Sequence, residues 1–151
     1  MMISGTVVHH PRPRITRFGR AYMPQRYREW KKAAAEELRG QWGDAEPMAG
    51  PVAVELVFWF ARPKSRCRVK LRDIVVPRTG RGDLDNAVKS VLDAIQDAGI
   101  FANDSQVSSI NASQWEAELE PWIYIAVEPA EEFPRAQCQK VLSTEPQNHD
   151  S

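Results

Sequence analysis

Leu84, Ala87, Val88, Val91, Leu92, Ile95 and Ala98 recur at helical spacing and end at Gly99–Ile100. Such a stripe covers one side of a helix only, so the helix has to lie against another layer. Gly99 followed by Ile100 predicts a left-handed stop with a hydrophobic contact behind it. A matching surface is written in "VAVELVFWF", where Val52, Val54, Leu56, Phe58 and Phe60 alternate onto one face of a strand and Val57 and Trp59 onto the other. That second face, taken with Trp115, Trp122 and Tyr124, packs either beneath helices or against a partner subunit.

Weaker patterns flank these two. Residues 3–10 suit a first strand, and the Pro-punctuated basic loop after them has aromatic residues interleaved. A helix is predicted from Pro24, a first-turn residue, with Tyr27, Trp30, Ala34 and Leu38 on its inner face and a stop at Gly40. Two further strands are expected over residues 105–115 and 121–127, joined by the acidic turn at residues 116–121. Residues 1–129 are expected to form the working domain. Residues 130–151 read as a polar, loose tail with room for a short helix over residues 135–142.

A chain of 151 residues, 42% hydrophobic and 26% charged, is enough for one domain with its own core. The longest apolar run is too short to span a bilayer and carries Glu55. The N-terminus has its charges after its apolar residues, the wrong order for a secretory signal, so a cytoplasmic protein is expected. Cys67 and Cys138 stand far apart with no metal-binding spacing and read as bystanders. His9 and His10 lack a second ligand pair, and no metal role is assigned to them.

Net charge is zero, but it is unevenly laid down. Residues 1–90 carry 18 Lys/Arg against 9 Asp/Glu, whereas residues 91–151 carry 2 against 11. Such polarity points to a polyanionic partner or to a solvated basic face. Within the basic half, Arg62, Lys64, Arg66, Arg68, Lys70 and Arg72 alternate; an extended chain would project them to one side, either as a ladder for phosphates or as an edge strand guarded against aggregation.

Against this basic background stand Asp83 and Asp85, one residue apart at the start of the second helix, and Asp104 just beyond its end. One reading is local: Asp at a helix start caps free amides and suits the dipole, Asp104 opens a turn, and Lys89 pairs with Asp85 and Asp93 at i, i+4. The other is chemical. Carboxylates gathered near a phosphate-binding surface are what Mg²⁺-assisted phosphodiester hydrolysis needs, because the metal neutralises oxyanions and lowers the pKa of attacking water.

The stretch "GDLDNAVKSVLDAIQDAGIFANDSQV" resembles the signature of the RusA-like Holliday junction resolvases: D-x-D-N-x-x-K, an amphipathic helix containing D-A, a glycine, and a D-D-x-Q-[VI] strand entry. "RAYMPQRYREWK" resembles the basic loop and helix of the same family more weakly. The resemblance implies an α+β domain, a small mixed or antiparallel sheet packed with two main helices. It also implies a homodimeric endonuclease, dependent on Mg²⁺ with Mn²⁺ as an alternative, that nicks four-way junctions symmetrically in recombination and repair. Asp83, Asp85 and Asp104 fall on the metal-binding acids and Lys89 on the lysine that assists catalysis. Asn103 departs from the pattern, standing where the family commonly has an acid.

On this reading Arg12, Arg14, Arg17, Arg20, Arg26, Arg28, Lys31, Lys32, Arg81 and the 62–72 ladder contact DNA backbones. Phe18, Tyr22 or Tyr27 would stack on unpaired bases. Alternatives are a nuclease for other branched DNA, such as flaps or forks, or a DNA-structure-binding protein whose catalysis has lapsed.

Overall fold

A computed structural model describes residues 1–66, 74–79 and 82–132. The strands are β1 (Met2–Ser4), β2 (Arg14–Ile15), β3 (Ala21–Tyr22), β4 (Val52–Ala61), β5 (Val76–Pro77), β6 (Val107–Ala117) and β7 (Trp122–Pro129); the helices are α1 (Gln25–Trp42) and α2 (Leu84–Asp97). Five strands form one mixed sheet in the order β1-β7-β4-β6-β5, with β4 and β6 parallel and the other pairs antiparallel. β2 and β3 pair separately as a small ribbon. This is the expected α+β architecture.

β4 is central because its alternation is strongest. Val52, Val54, Leu56, Phe58 and Phe60 are all buried, and they face Ala34, Ala35 and Leu38 of α1 and Ala87, Val91, Ala94 and Ile95 of α2 in one cluster. Each large apolar side chain so buried contributes about 1.5–3 kcal/mol of transfer free energy. Both helices therefore cover the same face. On the other face Val57, Trp59, Trp115 and Trp122 are half-buried and Tyr124 is exposed, with Trp59 stacked on Trp122 at 5.6 Å, and no described helix covers them. Among the described residues no helix is long and apolar enough to cross a membrane.

The stop of α2 is as predicted: Gly99 has φ 79°, the Ile100 amide turns back to Ile95 O, and Ile100 and Phe101 are wholly buried. α1 differs, running through Gly40 to Trp42 and ending at Gly43, whose φ is 66°. Trp42 packs on the core and donates to Ala45 O, so burying one more turn outweighs the helix penalty of Gly40.

The first strand is shorter than expected. Gly5, at φ 87°, turns the chain out of the sheet after Ser4. Residues 6–10 then run to α2: Val8 O accepts from Ser90 Oγ at 2.8 Å, and the His10 amide donates to Asn86 O at 3.0 Å. These backbone groups are satisfied by a helix rather than by a strand partner, which carries two histidines to the first turns of α2.

The basic 62–72 segment is not an extended ladder where it is described. Arg62 is buried, donating to Ile74 O and Glu116 O, and Lys64–Arg66 is a turn of 3₁₀ helix. A period of two projects side chains together only in extended backbone, and the chain bends directly after β4. Arg68, Lys70, Arg72, Arg81, Cys67, Cys138 and the short helix expected over residues 135–142 lie outside the described residues.

Candidate active site

Gly82 stands before α2 with φ 97°, and a Cβ there would lie 2.5 Å from the His9 ring. Two constraints thus call for glycine, a left-handed backbone and a close approach. Asp83 follows as the N-cap with extended backbone, and its main-chain carbonyl accepts from Ala87 N at 3.2 Å. Its carboxylate, however, makes no capping hydrogen bond; the nearest donor is Asn86 Nδ2 at 3.4 Å. Asp85 is exposed in the first turn and pairs with no described side chain. Capping therefore does not account for these two acids, since their oxygens are left outward and available.

Asp104 returns to the same helix. Asn103 Oδ1 accepts from Ser105 N at 2.8 Å while Gln106 Oε1 accepts from Asn103 N at 3.1 Å, and Gln106 Nε2 is anchored on Met48 O and Gly50 O. This reciprocal box holds a short 3₁₀ turn on the end of β6. Asn103 thus has a structural task that an amide performs as well as an acid. From that turn Asp104 Oδ2 meets Lys89 Nζ at 3.1 Å.

Lys89 is the hub. Its ammonium lies 2.9 Å from Asp93 Oδ1 as well as 3.1 Å from Asp104 Oδ2. The other oxygen of Asp93 accepts from the Tyr27 hydroxyl at 2.7 Å and lies 3.7 Å from His10 Nε2. The Tyr27 and His10 rings meet edge-on at 5.2 Å. Of the i, i+4 pairs expected for Lys89, the structure forms the one to Asp93. Burial above all pushes Asp93 toward the neutral form, but the Tyr27 hydroxyl, Lys89 and His10 together hold its carboxyl below the ordinary value. The hydrogen bond to Asp93 raises Lys89. Tyr27 is pushed well up, first by burial and then by its bond to Asp93. His9 is lowered by burial and Arg78, against an opposing pull from Asp83.

Three carboxylates are hard oxygen donors of the kind Mg²⁺ takes, so the donor chemistry fits. Among the described residues, no three His, Cys, Asp or Glu side chains stand close enough to hold one ion as they are. Asp104 is turned toward Lys89, whose ammonium its Oδ2 accepts at 3.1 Å.

The basic residues divide. Arg12, Arg14, Arg17 and Arg20 are exposed on and beside the β2–β3 ribbon, with Phe18 at its tip and the Arg17 guanidinium 4.7 Å from the Phe18 ring. Arg26, Arg28 and Lys32 are exposed on α1, but Lys31 is tied to Asp97 at 2.7 Å. Arg66 pairs with Glu116 at 2.9 Å, and Lys64 is exposed. Tyr27 is a core residue, 3% exposed, and is no stacking platform. The sequence reading missed Arg78, which lies 3.6 Å over the Phe60 ring in an open groove lined by Thr6, His9, Arg26, Phe60 and Gly82. It also missed His10. Neither carries a spacing signal, because the turn at Gly5 and the loop before α2 bring them in.

The sequence profile of the endodeoxyribonuclease RusA family matches residues 4–128, which include every described residue of this site. No individual curated protein matches the chain.

Proposed function

The chain belongs to the endodeoxyribonuclease RusA family, and on that premise we propose that it resolves four-way DNA junctions by paired symmetric nicks, with Mg²⁺, or Mn²⁺ in its place, and leaves 5′ phosphates. The observation that carries this reading is the uncapped state of Asp83 beside exposed Asp85 at the α2 start, with Asp104 returned to the same helix through Lys89. Asp83, Asp85 and Asp104 would hold the metal. When bound, it would neutralise phosphate oxyanions and lower the pKa of an attacking water. Lys89 would place positive charge against the non-bridging oxygens as charge develops on them.

The surrounding residues would deliver the substrate. The groove with Arg26 and Arg78 is lined also by Gly82, the residue before Asp83, so a backbone seated in it would lie beside the start of α2. Arg12, Arg14, Arg17, Arg20, Arg28, Lys32 and Lys64 would add phosphate contacts that give affinity with little sequence information. Phe18 is 77% exposed at the ribbon tip, where it would stack on an unpaired base at the crossover.

Symmetric nicking calls for two sites, which a twofold homodimer supplies from one chain. The half-buried tryptophans on the sheet face that no described helix covers would suit such an interface. Sedimentation showing only monomer at micromolar concentration would remove this part.

The test is incubation of the protein with a synthetic four-way junction, a flap and a linear duplex, with and without Mg²⁺, read at nucleotide resolution. Paired metal-dependent cuts in the junction are expected. Equal cutting of the flap would make it a general branched-DNA nuclease, and binding with no cut would mark a lapsed enzyme.

A further inference from the structure

Lys89 is held by two carboxylates that differ in kind. The side chain of Asp104 is 49% exposed, and its only partner among the described residues is the Lys89 ammonium. The side chain of Asp93 is 20% exposed, with one oxygen on Lys89 and the other on the hydroxyl of Tyr27, a residue 3% exposed. The Tyr27 ring is in turn fixed edge-on to His10, whose amide is bonded to Asn86 O in the first turn of α2. Asp93 is thus clamped from two other elements, while the Asp104 side chain is held by Lys89 alone among the described residues.

An exposed i, i+4 ion pair is worth only a few tenths of a kcal/mol and needs no such framework. Burying a tyrosine hydroxyl is worthwhile only if it is bonded, and here its acceptor is the carboxylate that also holds the lysine. We propose that Asp93, fixed by Tyr27, is the positioning residue for Lys89, keeping the ammonium in place when Asp104 is drawn away to other ligands. The inference rests on the nuclease reading for its consequence and on the observed geometry for its form.

The physical need is clear from the side chain involved. An ammonium on a flexible four-carbon stem has three donors, and losing Asp104 would leave it free to swing into solvent. Retained on Asp93, it keeps one donor engaged and presents the others toward the place Asp104 has left. A phosphate oxygen arriving there would meet a donor already in position, which lowers the reorganisation needed as charge develops. The Tyr27 hydroxyl donates to Asp93 and so shares the carboxylate's charge, leaving more of the ammonium's field for the phosphate.

The test compares single-turnover cutting by the full chain and its Asp93→Asn, Tyr27→Phe, Lys89→Ala and Lys89→Ala/Asp93→Asn variants. Asp93→Asn is expected to slow the chemical step by about 10–100-fold with junction affinity within about twofold, because only transition-state contacts are lost. Tyr27→Phe, which keeps the buried ring, should show the same pattern at smaller amplitude. In the Lys89→Ala background Asp93→Asn should cost nothing further; an equal cost there overturns the proposal. A second readout needs no cleavage. The Lys89 ammonium ¹⁵N resonance of the metal-free protein should persist in Asp104→Asn and disappear through fast exchange in Asp93→Asn. A resonance unchanged by Asp93→Asn overturns the clamp whatever the cutting assay gives, whereas a parent that cuts nothing overturns the nuclease reading.

Discussion

Lys89 Nζ and Asp104 Oδ2 stand 3.1 Å apart, joining the second turn of α2 to the turn that opens β6. The contact spans fifteen residues of chain, and it exists because Gly99 reverses the backbone and the Asn103–Gln106 box fixes the return. The second and third turns of α2 and a distant loop are thereby joined at one ammonium. The following outcomes would test what the assembly does.

Asp83→Asn and Asp85→Asn should each reduce junction cutting by at least about 100-fold, since each removes a charged oxygen donor from the proposed metal site. Junction binding should hold or tighten, because negative charge near phosphates is removed. Helix stability should change little, as Asp83 makes no side-chain cap bond. Cutting at the parent rate by Asp85→Asn, measured on a labelled junction, would remove the assignment.

Gly82→Ala should destabilise the fold. An L side chain at φ 97° costs about 1–2 kcal/mol, and the added Cβ would lie 2.5 Å from the His9 ring. A fall of several degrees in melting temperature is expected. Adding His9→Ala should recover the steric part and leave the backbone part, so the double variant should melt between the two.

Junction affinity should fall steeply with salt, by about 0.9 log units per log of salt for each phosphate neutralised. Arg17→Ala and Arg20→Ala should flatten that slope. Phe18→Ala should leave the slope unchanged and weaken binding to the junction more than to linear duplex, by about 1–3 kcal/mol if the ring stacks on a base. Fluorescence anisotropy from low to physiological salt measures both, and a binding constant indifferent to salt would exclude the basic surface.

Against the opposing effect of burial, the Asp93 carboxyl is held below its ordinary value in the folded chain by the Tyr27 hydroxyl, Lys89 and His10. A depressed carboxyl contributes stability above its unfolded pKa and loses it as pH falls through the folded value, so the contribution should begin to fall at about pH 4 and vanish only below the depressed folded value. Lys89 is raised, so its contribution is full below its unfolded pKa and is lost as pH climbs through the folded one. Urea midpoints across acid pH should drop less in Asp93→Asn than in the parent.

Much of this molecule was legible in the sequence. The stripe of α2, its Gly99 stop and the two faces of β4 follow from local periodicity, which needs no knowledge of the rest of the chain. Asp83, Asp85 and Lys89 were legible for the same reason, being neighbours on one helix. Even the Lys89–Asp93 pair is an i, i+4 relation.

Other features depended on where distant segments meet. Alternating Arg62, Lys64 and Arg66 read as a ladder, but Arg62 turned inward to backbone carbonyls at the end of β4. Residues 6–10 read as strand, but Gly5 redirected them to Asn86 and Ser90. The sequence by itself determined which residues share a face and where helices stop, because those are short-range steric matters. Only tertiary structure decided that Asp104, Tyr27 and His10 meet around Lys89 and Asp93, because chain reversals and the common core against β4 place them there, and no spacing encodes that distance.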